Sequence, residues 1–199
     1  MIRLTCLFLL AAGTALAAGP PDPDWPCIQR RQPSLSLAQV WAGPPADPAT
    51  LALAETDEVQ RVARVIALRR TGMDEARALI DAYAEGRDPA ELTALFVATL
   101  EHVNVARNRV MAGITRYAHK QEALEVRIEE LRQEFARLSA AEPKDFDRID
   151  AVEGELDWST RIFQDRQQSL TYVCETPVIL EQRAFALGRT VAERLPQRR

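Results

Sequence analysis

The chain has 199 residues, of which 47% are apolar, 27% charged and only 6% aromatic, with a formal net charge of −4. This Ala-, Leu-, Glu- and Arg-rich mixture fits one helical domain and argues against a sheet protein. The acidic balance argues against nucleic acid as a partner, because such binding needs a net or local basic field.

Residues 1–18 read as a secretory signal peptide: a single charge at Arg3, an apolar run from Leu4 to Ala12, and small residues at Ala15-Leu16-Ala17, with cleavage after Ala17 or Ala18. That run is too short to span a bilayer, and no later stretch reaches the roughly 18 to 20 apolar residues a membrane helix needs. A soluble mature chain exported to the periplasm, without a transmembrane segment, is therefore expected. Cys6 lies inside the signal, which leaves Cys27 and Cys174 in an oxidising compartment. An even pair there reads as a disulfide. Closing so long a loop removes about 4 to 5 kcal/mol of unfolded-state entropy in the chain model.

Residues 19–55 read as an irregular arm, since most of the chain's 12 prolines fall there and proline at that density blocks helix. Trp25, Trp41 and Cys27 offer anchors that a free linker lacks. Leu35 to Trp41 suits a short helical turn, and Asp47-Pro48 is a cap followed by proline at the first helical position. Residues 56–199 read as a single helical domain. Two short helices are expected at about 56–71, with Val59, Val62 and Ile66 as its apolar stripe, and at about 73–85, stopping at Gly86.

Asp88, Pro89 and Glu91 then form a capping-box-like start, and a long helix is expected over about 89–140. From Val103 through Arg107, Val110, Ile114, Tyr117, Gln121, Leu124, Ile128, Leu131 and Phe135 to Leu138 the spacing alternates four and three, which makes a coiled-coil seam with polar members at Arg107 and Gln121. A second long helix is expected over about 144–195, with a seam through Phe146, Ile149, Glu153, Leu156, Thr160, Phe163, Gln167, Leu170 and Cys174. Pro177 should kink or divide it, and Val178, Leu180, Phe185, Leu187 and Val191 beyond suit a bundle interior. The short link at Glu142-Pro143 makes the two antiparallel. Symmetrical folding about it brings Phe135 to Ile149, Ile128 to Leu156, Ile114 to Leu170 and Val110 to Cys174. The expected architecture is all-α: a long antiparallel helical hairpin, a two-helix coiled coil whose base forms a bundle with two shorter helices.

In Asp24-Trp25-Pro26-Cys27 and Tyr172-Val173-Cys174-Glu175 the chain resembles small secreted helical proteins of Gram-negative bacteria. That resemblance implies a periplasmic location and nothing about activity.

No catalytic motif stands out. His102 and His119 lie about 25 Å apart along one helix at 1.5 Å per residue, too far to share a metal ion, so neither metal nor cofactor is expected. No serine sits in a GxSxG elbow, and the carboxylates alternate with arginines as on any solvated helix. The most suggestive polar cluster is Asn104, Arg107, Asn108, Arg109 and Arg116, a candidate contact for a ligand or partner. Arg107 sits on the seam, where a buried guanidinium needs a carboxylate; Glu175 or Asp165 is the expected structural partner. These observations favour a non-enzymatic scaffold or adaptor whose hairpin engages another envelope protein or a dimer mate. A bundle sensing a small anion near Arg107 is the alternative. An envelope enzyme working through carboxylates ranks third, so catalysis stays open.

Overall fold

The computed structural model describes residues 24–196; the signal peptide expected at 1–18 and the start of the arm at 19–23 lie outside the described residues. The fold is all-α. Four short helices, α1 (Leu37–Val40), α2 (Pro48–Ala54), α3 (Asp57–Ala67) and α4 (Met73–Ala84), precede two long ones, α5 (Pro89–Ala140) and α6 (Phe146–Ala192). Two of the short helices, α1 and α2, lie inside the proline-rich arm, at the places where Leu35 to Trp41 and the Asp47-Pro48 cap pointed to a helical turn and a helix start, and they join the two expected short helices at the hairpin base.

Local chemistry explains the boundaries. The Asp47 carboxylate accepts the Thr50 N–H at 2.8 Å and its hydroxyl at 2.7 Å, and Pro48 occupies the first helical position, so α2 starts there. Those bonds, the Thr50 N–H foremost, hold the Asp47 carboxyl below its usual range. The expected end of α3 near residue 71 is corrected to Ala67: Leu68 is extended and the Thr71 hydroxyl folds back to the Val65 carbonyl at 2.8 Å. Arg183 of α6 donates to the Ile66 carbonyl at 2.6 Å, an acceptor that the end of α3 leaves open, and to the Thr71 carbonyl of the following connection at 2.8 Å. Asp88 and Glu91 complete a capping box at the start of α5, each bond 2.9 Å.

The core lies at the base. Leu92, Leu95, Phe96 and Val103 of α5 pack with Leu180, Ala184, Leu187 and Val191 of α6, against Ala63 and Ile66 of α3 and Ala76 and Ile80 of α4. Trp41 stacks on Phe96 with centroids 4.8 Å apart. Phe185, expected inside, is instead 44% exposed.

Above the base, α5 and α6 run on as the hairpin, turning through a cis Glu142–Pro143 bond. Gln121 donates to the Phe163 carbonyl at 3.2 Å and Arg127 pairs with Glu155 at 2.7 Å, which is the register of a symmetrical fold-back. Every expected seam residue of α5 is buried or half-buried. The expected seam of α6 needs correction in its outer half. Phe146 is 67% exposed, Glu153 and Gln167 face solvent, and Val152 and Ser159 are buried in place of Glu153 and Thr160. Counting from Ile149 rather than Phe146 gives Val152, Leu156, Ser159 and Phe163, the face that meets α5. Pro177 does not divide the helix, which runs from Phe146 to Ala192 with that ring buried. Among the described residues, no helix is long and apolar enough to cross a membrane.

Candidate functional site

The junction between bundle and hairpin gathers most of the unusual polar chemistry, and the arm is what it holds. Cys27 and Cys174 form a disulfide across 147 residues of chain. Beside it Trp25 is buried against Met111 and Ile114, with Val110 and Val173 around them, and its indole N–H donates to the Gln29 carbonyl at 2.5 Å. The Thr115 hydroxyl donates to the Asp24 carbonyl at 3.0 Å, and the His119 Nε2–H meets the Asp24 carboxylate at 2.6 Å. Asn104 grips the arm at its other end, accepting the Leu35 N–H at 3.0 Å and donating to the Leu35 carbonyl at 2.9 Å.

Arg107 is the largest fully buried side chain of the chain's described part. Its Nε–H and one Nη–H donate to Glu181 Oε1 at 2.9 and 2.6 Å, and its other Nη–H donates to the Gln32 carbonyl of the arm. The partner is therefore Glu181, not Glu175 or Asp165. Burying a guanidinium is tolerable only with such saturation.

The cluster singled out in the sequence splits in two. Asn104 and Arg107 clasp the arm, whereas Asn108, Arg109 and Arg116 are exposed. Sequence reasoning missed Glu181 and the Gln32 carbonyl; only their spatial meeting identifies them. A cleft of about 390 Å³ opens between arm and α6, lined among others by Arg30, Gln32, Arg107, Glu181, Val178 and Phe185. Arg30 is its one exposed cation and forms no ion pair among the described residues.

The histidines do structural work. His102 Nε2–H donates to Gln60 Oε1 at 2.9 Å, while the Gln60 amide donates to the Ala54 carbonyl at 2.8 Å. Burial, with Arg64 nearby, pushes the His102 pKa below the usual imidazole value. Among the described residues no group of three or more His, Cys, Asp or Glu side chains is arranged to hold a metal ion.

Comparison with protein-family models, with curated proteins and with solved structures finds no match.

Proposed function

We propose that this chain is a non-enzymatic periplasmic scaffold or adaptor, and that the helical hairpin is its working part. One observation carries the reading. Among the described residues, the hydrogen bonds from the arm to α5 that lie furthest from the base are those of Asp24 with Thr115 and His119, and α5 continues to Ala140, so roughly 30 Å of two-helix arm extends beyond them at 1.5 Å per residue. A two-helix arm buries little surface by itself, and large apolar side chains stay outside its seam: Val126 and Trp158 are more than half exposed, as is Tyr172 at its root. Such side chains on an otherwise charged projection suit contact with another protein. The disulfide suits the oxidising compartment that an export signal implies.

The test is photocrosslinking in intact envelopes from probes placed at Val126, Trp158 and Tyr172, with probes at exposed base positions Arg61 and Ala78 as controls. Defined adducts from the hairpin sites above those controls are expected. Capture no greater than at the base would overturn the reading.

The cleft beside Arg107 supports a second, weaker reading, a bundle that senses a small anion. Arg107 is already saturated by Glu181 and Gln32, so Arg30 would have to supply the binding charge. Thermal stabilisation by small dicarboxylates, abolished in Arg30→Gln, is its expected mark; no stabilisation removes it.

A further inference from the structure

We infer that the uncovered face of α6 seats a second copy of this chain, laid antiparallel with α6 against α6. This rests on the hairpin being an interaction arm and names the partner.

Trp158, Asp165, Tyr172 and Ile179 follow one another at steps of seven, and Ile162, Ser169 and Thr176 fill the intervening positions, so all lie on a single face under coiled-coil periodicity. Trp158 is 62% exposed, Tyr172 75% and Ile179 40%. This face is not the seam that meets α5, which runs through Val152, Leu156, Ser159 and Phe163. Continued toward the base, the same positions are Arg183 and Thr190. There the face is covered: Thr190 is buried and Arg183 binds the carbonyls of Ile66 and Thr71 in the α3–α4 connection. Among the described residues, one continuous face thus packs against α3 and α4 at the base and is bare beyond Ile179.

Charge decides the occupant and its direction. Arg161 and Glu175 flank the stripe on the same side, fourteen positions apart, both exposed and neither in an ion pair among the described residues. A parallel second copy would set Arg161, Asp165 and Glu175 each against its own like. An antiparallel copy with its two-fold axis near Gln167 and Gln168 sets Arg161 against Glu175 twice over, Ile162 against Tyr172, Trp158 against Thr176, and Asp165 against Ser169. Sliding by one heptad either way loses the Arg161–Glu175 pairs. The same register brings the α3–α4 connection of the second copy, fixed on Arg183, level with Asp150. Its exposed Arg69 and Arg70 then face exposed Asp147 and Asp150, and all four lack an ion-pair partner among the described residues. Opposite charges placed this way set orientation more than raw affinity.

The experiment is sedimentation equilibrium of the mature, oxidised protein over a concentration series, with circular dichroism confirming that each variant is folded. A reversible dimer is expected. Arg161→Glu and Glu175→Arg each weaken it about tenfold or more, since each reversal acts twice in a symmetric dimer, and the double variant recovers most of the loss. Trp158→Ala with Tyr172→Ala also weakens it. A monomer at every concentration, or a dimer indifferent to these changes, overturns the inference. Hairpin crosslinks to another envelope protein from a monomeric chain would leave the scaffold reading standing while this one falls.

Discussion

Glu181 reaches Arg107 from about one turn nearer the base than the residue of α6 level with Arg107, and the two close at 2.6 Å. Side chains of a helix lean toward its own N-terminus. In an antiparallel pair Arg107 therefore leans toward the base and Glu181 away from it, and they meet between their levels. Removing one partner strands a buried charge, so Arg107→Ala should cost about 3 to 5 kcal/mol, and Glu181→Gln, which leaves an acceptor, about 2 kcal/mol. Arg107→Met combined with Glu181→Leu should recover most of the loss, as volume-matched apolar replacements of buried pairs tend to. Urea unfolding of the single and double variants measures this; a double variant as weak as Arg107→Ala would place the cost in the Gln32 contact instead.

The disulfide fastens a segment that also holds the junction shut. Replacing Cys27 and Cys174 by serine should lower stability by about 5 kcal/mol in the chain-entropy account for so long a loop. The helices should keep their far-ultraviolet signal, because the core of α3 to α6 does not include the arm's first residues. Hydrogen exchange should show the loss of protection concentrated at 24–36. Uniform loss along α5 would show that the junction, not the arm alone, depends on the bridge.

The sequence showed the hairpin and the pairing of Cys27 with Cys174 clearly, for physical reasons. A three-and-four alternation sustained from Val103 to Leu138 has no solution other than a helix with one long seam, and two cysteines beyond the expected signal peptide have one pairing. It showed Arg107 as a buried guanidinium because a seam position has nowhere else to point. It did not show Glu181, since the lean of side chains shifts partners by a turn that no linear count reveals. The outer seam of α6 was misplaced because Val152 and Glu153, like Ser159 and Thr160, both satisfy a three-or-four step yet point about 100° apart at 3.6 residues per turn. The helices inside the arm were blurred by proline, which starts helices as readily as it blocks them.

His102 gives the fold an acid-sensitive term. Its folded pKa is lowered, chiefly by burial, so the unfolded chain binds the proton more readily. The stability tied to neutral His102 is full above the ordinary imidazole value near 6.5 and falls as pH drops below it, through the depressed folded value. In His102→Gln that part of the slope should vanish, while the bond to Gln60 is partly kept. Thermal melts from pH 8 to pH 5 of both proteins check this; parallel curves would assign the acid sensitivity to the carboxylates.

Gly188 allows α6 to touch the arm's backbone. A Cβ there would lie 2.5 Å from the Val40 carbonyl oxygen and 2.9 Å from Phe96 Cζ, whereas one at Gly154 meets nothing within 4 Å. The Val40 oxygen belongs to the main chain and the Phe96 ring is held by its stack on Trp41, so neither can yield as a flexible side-chain tip would. Gly188→Ala should therefore cost about 1 to 3 kcal/mol by overpacking. Gly154→Ala, in an open stretch of the same helix, should gain about 0.5 to 1 kcal/mol from helix propensity alone. Near-ultraviolet circular dichroism distinguishes the two mechanisms: the Trp41–Phe96 signal should change only in Gly188→Ala, because only there must α1 move off α6 to admit the methyl group.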